Sequence, residues 1–141
     1  MCLKTVERTA KGRSSKVLTG YKVLHKCTTG DGGGWTNLIR YGHYLTGKWY
    51  LSKSRTLETV QNKQYELGFH IYPTLEDAQK DPNLAWGTIV KVRYKGLLAQ
   101  GTEYRPDYSM DMGNVTYVLR KEKERNVVVA RYIKIVGEVE V

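Results

Sequence analysis

Apolar and polar residues alternate with a period of two over several short stretches of this chain, the signature of half-buried β-strands. The first firm one is Gly20 to Lys26, where Tyr21 and Val23 alternate with Lys22 and Leu24. Gly87 to Tyr94 repeats the pattern, with Val90, Val92 and Tyr94 inward and Lys91 and Arg93 outward; Gly96 bends the chain, and Leu97 to Tyr104 forms a further strand with a bulge at Gly101. Val115 to Lys121 and Asn126 to Val136 are β-branched and read as a hairpin around the charged tip EKER. Within it, Val127 to Ala130 is apolar on both faces and marks a central strand. Glu138 and Glu140 continue the alternation against Val139 and Val141. Residues 54 to 65 read as irregular, and RPDYSMDMGN, with Asp107 and Asp111, as a loop.

The period changes once. Phe69 to Tyr72 favour a strand, Pro73 cannot continue a ladder, and Thr74 can cap a helix beginning at Leu75, with Asp77 answering it three residues on. Asp81 precedes Pro82 and is pushed out of the α region, so this helix is short. The sum is an α+β fold, mainly antiparallel β-sheet of seven or eight short strands with one short helix. Residues 1–141 are expected to form a single domain, with 1–18 either a mobile basic arm or an edge strand.

Charge changes the picture next. The formal net charge is +9, and Lys4, Arg8, Lys11, Arg13, Lys16, Lys22 and Lys26 face only Glu7 across the first 26 residues. Such a field draws phosphates and other polyanions. No apolar run approaches the roughly 18 residues of a membrane span, so a cytoplasmic protein without a membrane partner is expected. Two cysteines, Cys2 and Cys27, are too few for a disulfide framework and read as thiols.

Candidate chemistry is sparse. The glycines of CTTGDGGG lack the Lys-Ser or Lys-Thr pair of a phosphate loop, and His25, Cys27, His43 and His70 lack zinc spacing, so no metal is expected. The denser signal is WTNLIRYGHYLTGKWYLS, where cations thread between aromatic rings. Rings stack on bases while cations hold phosphates. Arg40, Tyr41, His43, Tyr44, Lys48 and Trp49, joined by Phe69, His70 and Tyr72 of the strand-to-helix junction, are therefore the candidate ligand-binding residues.

The opening MCL, the YKVL strand, GFH followed by Thr-Leu-Glu-Asp-Ala, a Val-Lys-Val strand and VVVARYIKI together resemble a group of small uncharacterised phage and bacterial proteins with this order of motifs. More distantly, the Gly-aromatic strand and Thr-capped helix resemble the nicotinamide side of ADP-ribosyltransferase-like domains, and Glu138-Val139-Glu140 resembles their Glu-x-Glu pair. That second resemblance implies NAD as cofactor, Gly68, Phe69 and Tyr72 on the ring-stacking strand and Glu140 as the catalytic acid. The first strand carries only Lys22 where such domains hold an Arg or His, and their Ser-Thr-Ser signature is missing. The reading that follows is a non-catalytic phage-type protein without a cofactor, which captures an anionic partner, a host nucleotide or signalling dinucleotide, to blunt host defence. The alternatives are a mono-ADP-ribosyltransferase using NAD, and an inhibitor that binds nucleic acid or a host protein.

Overall fold

The computed structural model describes residues 3–27, 34–36, 43–104, 108–113, 115–119 and 123–139. Its spine is a pair of long antiparallel strands, β9 (Thr88–Glu103) and β12 (Arg125–Glu138), paired from Arg125↔Glu103 to Glu138↔Val90. The sequence pattern divides β9 at Gly96 into two strands. The structure carries one strand through it, because Gly96 takes a left-handed φ of 73° that keeps the ladder going where another residue would be strained. The ladder is not regular: Leu98 is an extra residue on β9 and Val136 an extra one on β12, as the register shifts at Val129/Ala130 and Ile135/Gly137 show.

Each flank of the spine is shared by two strands in succession. Beside β9 lie β2 (Leu18–Cys27), which pairs Leu18 to Leu24 with Tyr94 to Thr88, and then β1 (Thr5–Thr9), which takes the other end. Residues 5 to 9 thus form the edge strand, and the bulge expected at Gly101 belongs to β1, where Glu7 is the extra residue opposite Gly101 and Gln100. Beside β12 lie β5 (Trp49–Leu51) and β8 (Phe69–Ile71). β3 (Gly34–Thr36) and β4 (His43–Tyr44) extend the sheet beyond β2.

Two further pairings correct the sequence reading. Residues 54 to 65, expected to be irregular, contain β6 (Leu57–Val60), which pairs with β7 (Lys63–Glu66). Gln61 and Asn62 both take positive φ (52° and 63°), the geometry of a tight hairpin turn, and Gln-Asn is a weak sequence signal for it. The expected hairpin of Val115 onward with Asn126 onward does not form. β11 (Val115–Leu119) pairs instead with β10 (Tyr108–Met112), inside the stretch read as a loop, while β12 pairs with β9, β5 and β8.

The helix α1 (Leu75–Gln79) starts where its cap predicts: Thr74 is extended (φ −130°) and its hydroxyl accepts the Asp77 amide at 3.1 Å. Asp77 does more than answer the cap, since its buried carboxylate also accepts the Thr74 hydroxyl and the Asn126 amide of β12 (2.7 and 3.0 Å). A 3-10 turn, Pro82–Ala85, follows behind the Asp81 cap. Ala78 of α1 enters one apolar cluster with Leu3, Val6, Tyr65, Ile89, Val127 and Val129. The opposite side of the spine holds the second, with Leu24, Ile71, Val90, Val92, Ile133 and Ile135. No helix among the described residues is long and apolar enough to cross a membrane.

Gly101 faces β1 so closely that an added Cβ would overlap the Thr5 carbonyl oxygen, whereas Gly137 has open space around it. Gly101→Ala should therefore cost about 1–3 kcal/mol in chemical denaturation, and Gly137→Ala should stay within about 0.5 kcal/mol of the parent.

Candidate functional site

Along the first part of β9 the sheet presents a cationic face. Directly opposed residues of antiparallel strands point the same way, so the pairings Trp49↔Lys134, Lys134↔Arg93 and Arg93↔Thr19 put one row of side chains across β5, β12, β9 and β2. A neighbouring row joins Leu51, Tyr132 and Lys95, and Lys91 lies two residues beyond Arg93 on the same face. The Lys95 ammonium sits 4.6 Å from the Trp49 ring centre and 5.3 Å from that of Tyr132, and Lys134 lies 5.9 Å from Trp49. Each such contact contributes about 0.5–1 kcal/mol at an exposed site and fixes the indole in place.

Among the described residues, the strand segments that form this face supply no balancing charge. Residues 18–24, 49–51, 88–95 and 131–136 include no aspartate or glutamate, and among the described residues Lys91, Arg93, Lys95 and Lys134 enter no ion pair. Arg93 and Lys134 even stand directly opposite one another, an arrangement of like charges that weakens a strand pair. The row therefore carries a local positive potential.

The residues singled out from sequence divide among three places. Trp49 lies on the cationic face, with Lys48 at the start of its strand and 5.8 Å from the Tyr50 ring on the opposite side. Tyr44, Tyr50 and Phe69 form edge-to-face contacts, with centroids 5.0 Å apart for Tyr44–Tyr50 and 6.0 Å for Tyr44–Phe69, and pack against the second apolar cluster. His43 is exposed on β4. Arg40, Tyr41 and Glu140 lie outside the described residues. Sequence reasoning missed Lys95, Tyr132 and Lys134. Their signal is the alternation K-x-R-x-K at 91–95 and Y-x-K at 132–134, which acquires meaning only once β5 is known to lie beside β12.

His70 and Tyr72 occupy the third place, a polar network between α1 and the sheet. Glu103, buried in β9, accepts from Arg125 Nη2 at 2.9 Å and faces His70 Nδ1 at 3.2 Å. Arg125 Nε donates to the Tyr72 hydroxyl (3.2 Å), which donates to Asp81 (2.5 Å). Lys22 donates to the His70 carbonyl at 2.6 Å. Burial lowers the Lys22 ammonium to about 8 against the pull of Glu103 and Asp81. The Tyr72 hydroxyl is raised far above its usual range by burial and by Asp81. Glu103 feels burial as an upward push, outweighed by its bonds and charge contacts to His70 and Arg125, so its carboxyl lies below the usual range. Its members bond to one another, so the cluster joins helix to sheet.

No protein-family model, curated protein or solved structure matches this chain.

The network yields two expectations. Arg125→Met leaves Glu103 buried without its guanidinium and should cost about 3–5 kcal/mol in urea unfolding; pairing it with Glu103→Leu should recover part of that loss. Burial also lowers the His70 imidazole, with the Glu103 bond opposing. The unfolded chain then takes up a proton near pH ~6.5 that the folded one refuses until lower pH. Stability is therefore full above that value and falls as pH drops through the folded pKa. His70→Gln should flatten the fall that sets in below about pH 6.5 in pH-dependent unfolding, leaving the deeper acid loss that belongs to Glu103.

Proposed function

We propose that this protein captures an anionic partner carrying an aromatic ring, a nucleotide or signalling dinucleotide of the host, without altering it chemically. The observation that carries this reading is the Lys95 ammonium held against Trp49 and Tyr132, with Arg93, Lys134 and Lys91 beside it and no acidic residue in the same strand segments. Ring faces take a base by stacking, at about 1–3 kcal/mol per base, and the cations take its phosphates. The resemblance in motif order to small phage proteins gives the capture its purpose: a partner held on this face is withheld from host defence.

A charge reversal separates the binding role from a purely structural one. Arg93→Glu turns the opposed like charges Arg93 and Lys134 into an attractive pair, so the folded state should gain about 0.2–1 kcal/mol. The same change should weaken the thermal stabilisation produced by a nucleotide panel, because it removes a phosphate contact and adds repulsion. Lys123→Glu, which changes the net charge equally on an exposed residue beyond the Arg125 end of β12, far along the strand from Lys134, is the control and should leave binding nearly intact. A panel that never shifts the melting temperature of the parent, or an Arg93→Glu protein that binds as the parent does, would overturn the reading.

A further inference from the structure

We propose that the occupant of the cationic face is a single-stranded nucleic acid lying along β9, an inference that rests on the anion-capture reading above and extends its partner from a single nucleotide to a strand of them. Three cations, Lys91, Arg93 and Lys95, occupy alternate positions of one strand. Alternate residues of a strand are about 6.8 Å apart, close to the repeat of an extended sugar-phosphate backbone, so successive cations meet successive phosphates. Lys134 adds a fourth charge one strand to the side, opposite Arg93.

The rings lie where bases would fall. Tyr132 stands opposite Lys95 on the adjacent strand, and Trp49 lies one strand further, roughly 10 Å from β9 at the usual strand spacing. Bases splayed to that side from phosphates on β9 reach both rings, while the exposed Leu51 and Val136 border the same face with apolar surface. Stacking on an open sheet of this kind tolerates any base, because every base has a ring face.

A double helix fits less well. The major groove admits a helix or a two-stranded ribbon, whereas this face is four strands wide, from Thr19 on β2 to Trp49 on β5. A duplex also keeps its bases stacked on each other, out of reach of Trp49 and Tyr132. A mononucleotide engages one phosphate site of several and leaves the rest of the row repelling itself.

Fluorescence anisotropy with the full-length chain tests this, using end-labelled 12-mers of oligo-dT and oligo-U, a 12-base-pair duplex, and unlabelled mono- and dinucleotides as competitors. Single strands of at least one sugar type should bind 100-fold or more tightly than a mononucleotide and at least tenfold more tightly than the duplex. Four phosphate contacts give a logarithmic salt slope of about −3 for single strands, or roughly fifty-fold weaker binding between 50 and 200 mM salt. Trp49→Ala should weaken binding about 5- to 150-fold without changing that slope, whereas Arg93→Glu should make the slope shallower by about 0.7 or more. A merely structural role for Trp49 would not separate affinity from slope in this way; circular dichroism and melting of both variants confirm that they fold. Mononucleotides binding as tightly as the 12-mers would overturn the strand assignment and leave the nucleotide reading standing. Binding of the duplex equal to that of single strands and indifferent to Trp49→Ala would overturn it as a generic polyanion effect. No anion binding at all would overturn both readings.

Discussion

Arg125 and Glu103 are direct partners in the register of β9 and β12, and they are also a buried ion pair. A slip of one residue between these strands would send every side chain to the wrong face. It would also leave a guanidinium and a carboxylate without each other, at a cost of several kcal/mol per buried charge. β1, β2, β5 and β8 read their positions directly from these two, and β3 and β4 follow through β2. The ion pair is thus a register pin for the whole sheet, and its value lies in specifying one alignment more than in net stability.

The helix is aligned by the same pin. Tyr72 bonds Arg125 with one side of its hydroxyl and Asp81 with the other, while Asp77 receives the Asn126 amide next to Arg125 in the chain. A five-residue helix has little stability of its own, and here the Asp77 carboxylate from its middle bonds Asn126 of the sheet while Asp81, just beyond it, bonds Tyr72. The corner that sequence identified as a strand-to-helix junction is therefore where the polar network crosses from backbone capping to register control.

Much of the local structure was legible in the sequence, because it depends on neighbours. Thr74 caps as its position predicts, β2 and the first half of β9 follow their alternation, and the α+β, mainly antiparallel class follows from the same periods. What was not legible depends on partners remote in sequence. Nothing in residues 115 to 136 states that Val115 to Leu119 will turn back on Tyr108 to Met112 and leave β12 to β9. The same holds for the candidate site: Trp49 stands out as an aromatic among cations, yet its cations are Lys95 and Lys134, some 45 and 85 residues downstream. In the sequence Arg125 reads as part of the charged tip EKER, and Glu103 carries no signal of its own. Their burial becomes visible only when β9 and β12 are laid side by side.

The row in which Arg93 opposes Lys134 bears on how long the protein persists in a cell. Self-repulsion in the middle of the sheet raises the population of transiently opened molecules, and degradation by proteases follows that population when opening and closing are fast. On the proposed reading, a phosphate chain laid across the row would screen the repulsion and favour the closed form. The empty protein would then be cleared sooner than the occupied one, so the amount surviving would follow the amount of partner present without any separate control of its synthesis.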